Sequence, residues 1–250
     1  MDSFSTDGIV LQVRYTGESD RIVTVLTREH GVVRAFAKAA RRPKSKLHAA
    51  TQAFCFSDFI FQKSGDAYRV AEASPKELFY QLHDDIAKLS LAQYFGQLAG
   101  ELVAADERNP ENLRLILNSL YFLCNNKKDP VWLKAVTEMR LCANCGYAPD
   151  LTGCSVCGEL PAQPEPMYFN LSAGVLLCRR CGNSYSGVAV NRSVLSALLH
   201  VILSDFDRLY TFSIAPGDLQ ELASICEKYI LIQTERQFSS LDFYKKMAEL

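Results

Sequence analysis

No apolar run in this 250-residue chain is long enough to span a bilayer, although 48% of its residues are apolar. A membrane-spanning protein is therefore not expected. The start, Met1-Asp2-Ser3-Phe4, lacks the basic-then-apolar pattern of an export signal. Net charge is nearly absent too, at −1, so only the distribution of charge can speak about nucleic acid. The four histidines, His30, His48, His83 and His200, show no paired spacing. Neither the His-x-Glu nor the Pro-Cys-x-x-Cys of zinc deaminases occurs. Without a His, Ser or carboxylate constellation, an enzyme is not expected. Internal repeats and low-complexity tracts are missing as well. What the chain does have is nine cysteines. With no export signal, they point to the reducing cytoplasm and away from disulfides.

Four of these cysteines form two Cys-x-x-Cys pairs, Cys154/Cys157 and Cys178/Cys181, separated by a Pro- and Gly-containing spacer. Two cysteines three apart on a tight turn can point at one ion, and two such turns supply the four thiolates of a tetrahedral zinc site. Gly158 and Gly182 follow the pairs where the chain must turn sharply. Four thiolates close the coordination sphere, so one structural Zn²⁺ is expected rather than a catalytic one. A third pair, Cys142/Cys145, lies upstream. There Trp132, Val136, Met139, Ala143 and Gly146 fall at helical spacing, which predicts a helix up to Gly146 carrying two ordinary core thiols.

The first seventy-odd residues read as five strands: Gly8–Tyr15, Arg21–Thr27, Val32–Ala39, Ala53–Gln62 and Ala67–Ala73. They suit a small closed barrel of OB type, and a five-stranded SH3-like barrel fits the same pattern. Between the third and fourth strands, residues 38–46 hold five basic residues and no acidic one. This is either a solvated loop or a phosphate-binding one. In the third strand Arg34, Phe36 and Lys38 share one face, opposite the small Val33, Ala35 and Ala37. A cation–aromatic–cation row outside a barrel is how OB domains hold nucleic acid. Phe36 fits equally as a residue packed at a domain junction.

From Pro75 the period changes to helical. Stripes run through Leu91–Leu102, Leu113–Leu120 after Asn109-Pro110, Trp132–Gly146, Val194–Leu203 behind an Asn191 cap, and lastly Leu219–Ile230 after Pro216. The cysteine segment interrupts the helices and reads as an insertion. The expected architecture is multi-domain β + α: a barrel over residues 1–78, then an α-helical domain over 79–250 with an inserted four-Cys zinc finger at 150–185.

Arg41-Arg42-Pro43-Lys44-Ser45-Lys46-Leu47, then Gly146-Tyr147-Ala148-Pro149-Asp150-Leu151 leading into Cys-x-x-Cys-Gly and a later Cys-x-x-Cys, resemble the RecO family of bacterial recombination mediators over essentially the full chain. The resemblance implies an OB-fold followed by a helical domain with a zinc finger. It implies binding of single- and double-stranded DNA, annealing of complementary strands, and RecA loading together with RecR and SSB. It leaves open whether a RecF-type partner takes part. Carried over by position, the metal ligands are Cys154, Cys157, Cys178 and Cys181, and the basic segment is Arg41, Arg42, Lys44 and Lys46; Arg34, Phe36 and Lys38 complete the expected DNA face. A nucleoid-associated place in the cytoplasm follows from such a role. For the acidic, Phe-ended SSB tail, Arg140, Arg192, Arg208 and Lys228 are candidate cations. A zinc-stabilised protein-interaction scaffold without direct DNA binding is the alternative from a different class.

Overall fold

The computed structural model describes residues 3–65, 67–159, 166–183 and 187–248. Much of the Cys157–Met167 spacer and residues 184–186, within the segment expected to form a zinc finger, lie outside the described residues, as does Asp66 of the expected Ser64–Asp66 turn. The chain folds into two compact units: Met1–Lys128 with Phe238–Leu250, and Asp129–Gln237.

In the first unit, β1 (Ser3–Thr16), β2 (Asp20–Thr27), β3 (Val32–Ala37), β4 (Cys55–Ser64) and β5 (Ala67–Leu78) close into a barrel of order β1-β2-β3-β5-β4. β3 pairs in parallel with β5, through Ala35–Tyr68 and Phe36–Arg69, while the other neighbours are antiparallel. This closure around β4 is a Greek-key step rather than a meander, and it decides for the OB type over the SH3-like one. Inside stand Val10, Val23, Val25, Val33, Ala35, Ala37, Phe59, Phe61 and Val70. The small residues of β3 let Phe59 and Phe61 stack within the barrel, 5.2 Å apart. β3 stops at Ala37, two residues before the expected end, because Ala39 turns into the left-handed region.

Two helices follow in the same unit, α1 (Ile86–Leu102) and α2 (Pro110–Cys124). Asp85 caps α1 by accepting from the Ala87 and Lys88 amides, and Asn109 caps α2 ahead of Pro110 at its first turn. α1 lies close on β1: a Cβ at Gly96 would sit 2.9 Å from the Leu11 carbonyl oxygen, so only glycine permits the approach. The α1–α2 connection is tied to the β2–β3 turn, with Asp106 N–H donating to His30 O (3.0 Å) and Asn109 N–H to Arg28 O (3.0 Å). The helix expected to be last is not: a further one, α6 (Ser239–Ala248), also packs on α1. Only Leu241 and Tyr244 of α6 are buried, too few to set a period in the sequence.

The second unit holds α3 (Pro130–Cys142), α4 (Arg192–Leu203) and α5 (Pro216–Thr234) around a four-stranded sheet. Its strands are β6 (Asp150–Cys154), β7 (Met167–Asn170), β8 (Val175–Leu177) and β9 (Val188–Val190), in the order β6-β8-β7-β9. α3 is buried from Trp132 to Cys142. Its regular turns end at Cys142, earlier than the periodicity predicts. A wider π-turn over Ala143–Tyr147 follows and breaks at Gly146, whose φ is +90°.

Candidate nucleic-acid face and metal centre

Arg34 and Phe36 of the expected row stand on the outer face of β3, and Lys38 follows just past its end. Arg34, Phe36 and Lys38 are exposed, alternating with buried Val33, Ala35 and Ala37, and Phe36 keeps 39% of its surface open. Cross-strand register widens that row beyond what the sequence suggested. Arg14 pairs with Ile22, Ile22 with Phe36, and Phe36 with Arg69. Four exposed side chains thus cross four strands, with Ile22 and Phe36 in the middle and a guanidinium at either end. At about 4.8 Å per strand step, the row spans roughly 14 Å. Arg69 is held by two hydrogen bonds to Gln62 Oε1. Only the pairing could have revealed Arg14, Ile22 and Arg69, because each sits alone in its own strand.

The basic segment continues from this row. Arg41, Arg42, Lys44 and Lys46 are all exposed, and Arg41 lies 4.8 Å over the ring of Tyr15, itself 68% exposed. The segment is not a slack loop. Ala39 N–H donates to Asp20 Oδ1 at 2.6 Å, Arg41 N–H to Ser19 O at 2.9 Å, and His48 Nδ1 lies 3.1 Å from Ala40 O. Backbone bonds Arg42→Ala39, Ser45→Arg42 and His48→Ser45 coil it into consecutive turns.

The candidate metal centre lies in the second unit. Cys154 ends β6, Cys178 follows β8, and each is succeeded by a turn that brings in the second thiol of its pair. The two turns are alike: Gly158 N–H donates to Cys154 O (2.8 Å), and Gly182 N–H to Cys178 O (2.9 Å). Their glycines differ in purpose. Gly158 has φ +71°, a turn requirement, whereas a Cβ at Gly182 would come within 2.7 Å of Leu177 Cβ, a packing requirement. The four sulfurs of Cys154, Cys157, Cys178 and Cys181 lie within 4.8 Å of one another. Tetrahedral zinc with bonds of about 2.3 Å separates its sulfurs by about 3.8 Å. Cys157 and Cys178 are 3.7 Å apart, matching that edge and far beyond a disulfide bond.

The electrostatics also fit a cation. Backbone amides, chiefly those of Cys178 and then Cys157, draw the Cys154 thiol down to about 6. Cys181 is pushed up to about 12 by its contacts with Cys157 and Cys178. One thiolate is thus favoured at Cys154, while the neighbouring thiols oppose a second at Cys181. Arg180 from the second turn donates to Glu159 from the first at 2.9 Å, an ion pair that ties the two turns together at the surface. Cys142 stands apart from the cluster, buried on α3, where burial first and then Cys145 push it up to about 12. Among the described residues, neither Cys142 nor Cys145 joins the four.

Arg140 is corrected as a candidate for an acidic peptide. It is 8% exposed, and its Nη1 donates to the carbonyls of Val201, Ile202 and Ser204 at 2.9–3.1 Å. It caps the C-terminus of α4. Arg192, Arg208 and Lys228 are exposed.

The comparisons with known proteins agree over both units. A family model described as recombination protein O N terminal matches residues 1–79, and one described as recombination protein O C terminal matches residues 83–242. The chain is 32% identical over 248 residues to the DNA repair protein RecO of Acetivibrio thermocellus, covering 99% of this chain and 98% of that one. It is 32% identical over 249 residues to the DNA repair protein RecO of Desulforudis audaxviator, covering 99% and 98%. Over 247 residues it is 30% identical to that of Alkaliphilus metalliredigens, covering 97% and 98%.

Proposed function

The chain belongs to the RecO family of DNA repair proteins, and on that premise we propose that it binds single- and double-stranded DNA, anneals complementary strands, and with RecR and SSB mediates RecA loading as a non-enzymatic factor. The carrying observation is the exposed Arg34–Phe36–Lys38 row, followed, beginning three residues later, by the exposed Arg41, Arg42, Lys44 and Lys46. The cations meet phosphates and so give affinity without sequence preference, while Phe36 offers a stacking surface for bases. Arg14 and Arg69 extend the same face on either side. Such a protein works in the cytoplasm at the nucleoid. Among the described residues, no helix is long and apolar enough to cross a membrane.

Cys154, Cys157, Cys178 and Cys181 are the ligands of one structural zinc. The metal supplies folding free energy, because β6 and β8 are three to five residues long and the segment has little core of its own. In this reading the acidic tail of SSB is held by exposed cations of the helical region, from which Arg140 is now removed.

The deciding experiment is a salt titration of oligonucleotide binding by the intact protein and by the Arg41→Ala, Arg42→Ala, Lys44→Ala, Lys46→Ala variant. If each cation neutralises one phosphate, the log–log slope flattens by about 3 to 4 units. Folding is retained, since exposed loop charges contribute little to stability. An unchanged slope removes the loop from the DNA site. Loss of neither affinity nor annealing, together with no effect at Arg34 or Phe36, favours the interaction-scaffold reading.

A further inference from the structure

Arg21 is the first residue of β2 after Asp20, and its side chain points inward with Val23 and Val25 rather than outward with Ile22. It is 6% exposed. Its Nη1 donates to His48 O at 2.8 Å and to Thr51 Oγ1 at 2.9 Å, and its Nε has no hydrogen-bond partner. No carboxylate forms an ion pair with it among the described residues. Burial holds its pKa below the ordinary value; Tyr15 opposes that shift and Arg41 adds to it. An unpaired buried cation weakens a fold rather than strengthening it, and an apolar side chain of the same size is commonly as stable or more so. Packing therefore does not account for this residue.

What Arg21 touches suggests its purpose. Its two neighbours in sequence, Ser19 and Asp20, hold the start of the basic segment: Asp20 Oδ1 accepts from Ala39 N–H, and Ser19 O accepts from Arg41 N–H. Arg21 holds the far end, at His48 and Thr51. The His48 ring closes the two ends on each other through Ala40 O, 3.1 Å away. Three consecutive residues thus grip both feet of one loop, and Arg41 to Lys46 stand at its exposed tip.

We propose that Ser19-Asp20-Arg21 is a clasp that holds the basic loop in its phosphate-binding shape, with Arg21 and Asp20 as its positioning residues. The proposal rests on the reading of the loop as a phosphate-binding element. Loose cations still attract DNA, but they must be ordered on binding, and that ordering reduces the affinity gained. The clasp orders them beforehand. Arg21 itself touches no phosphate in this scheme.

The experiment measures single-stranded oligonucleotide binding against salt, with thermal unfolding alongside, for the full chain and five variants. These are Arg21→Met, Arg21→Lys, Asp20→Ala, Asp20→Asn and the fourfold loop variant. Arg21→Met is expected to lower affinity about tenfold and flatten the salt slope by about 1 to 2 units, as if two of four contacts were lost, with the thermal midpoint held within about 5 °C. Arg21→Lys, which keeps charge and a donor, recovers part of the loss. The Asp20 pair supplies a sign test that does not depend on Arg21→Met folding. By charge alone, both Asp20 variants tighten binding, because a carboxylate beside the loop is removed. Under the proposal Asp20→Asn tightens it, since the amide oxygen still accepts from Ala39, while Asp20→Ala weakens it. Equal tightening by both Asp20 variants, or a wild-type slope in Arg21→Met, overturns the clasp while leaving the loop reading intact. An unchanged slope in the fourfold variant overturns the loop reading, and the clasp with it.

Discussion

The candidate metal centre and the candidate nucleic-acid face are built on opposite plans. All four thiols come from two short turns, and each pair is set by a spacing of three residues. The face gathers Arg14, Ile22, Phe36 and Arg69 from four strands, and nothing but hydrogen-bond register aligns them. In the proposed reading the first becomes rigid by binding an ion. The second is presented by a barrel whose core of Val, Ala and Phe is already closed beneath it. A local plan draws its order from a ligand, and a distributed plan draws it from the surrounding fold. The two regions should therefore fail in different ways.

The largest expected effect follows from the local plan. Cys178→Ser should release the metal and loosen β6 to β9, while the barrel stays folded; Cys142→Ser should retain the metal in full. Structural zinc contributes on the order of 10 kcal/mol to isolated finger peptides, so no partial compensation is expected. Elemental analysis and limited proteolysis of both variants measure this. Full metal retention in Cys178→Ser would sink the assignment of ligands.

The same contrast explains what was legible in the sequence. Cysteine spacing is a local signal, and it led directly to a cluster whose sulfurs lie within 4.8 Å. Strand alternation is local as well, and it placed Arg34 and Phe36 outside correctly. Arg69 was invisible as a neighbour of Phe36, because a parallel pairing joins strands separated by the whole of β4. Register shifts by a bulge between Val10 and Gln12 on β1, so the partners of Arg14 do not follow from counting back from Gly8. Arg21 escaped notice for another reason. It lies at the start of a strand, where arginine usually faces solvent, and its partners His48 and Thr51 come from a segment that returns more than twenty-five residues later.

A second test asks whether the metal is all that holds the second unit. Lys134 Nζ on α3 sits 2.9 Å from Glu138 Oε1 and 2.8 Å from Glu227 Oε2 on α5, with only 6% of its side chain exposed. Burial opposes the charge on Lys134, but Glu138 and then Glu227 outweigh it and hold the pKa above its ordinary value. Lys134→Met leaves two carboxylates buried together and should cost about 3–5 kcal/mol. Replacing all three by Met, Leu and Leu should recover most of that loss. Denaturant unfolding with metal present reads both variants. A neutral Lys134→Met would mean that the triad is hydrated and that the metal dominates the unit.

The smallest expected effect belongs to the barrel and separates the two regions by pH. Arg28 Nε and Nη2 donate to the two Asp7 oxygens at 2.8 and 2.7 Å, bracing β1 against the end of β2. The hydrogen bond from Arg28 is the main cause that holds the Asp7 carboxyl below its ordinary value, with burial opposing it. A carboxylate whose folded pKa is depressed binds protons less readily in the native state than in the unfolded one. Its contribution is therefore complete above the unfolded value of about 3.9 and fades as pH falls through the lower folded value. Arg28 is 41% exposed on its side chain, so solvent screening keeps the contribution to a fraction of about 1 kcal/mol. Asp7→Asn should thus destabilise the barrel slightly at neutral pH and not at all once the wild-type carboxyl is protonated. The metal centre should respond to acid earlier, because protons compete directly for its thiolates. An acid titration followed by metal release and by barrel unfolding should show two separate transitions, metal first. Superimposed transitions, unchanged by Asp7→Asn, would mean that the barrel draws its order from the metal after all.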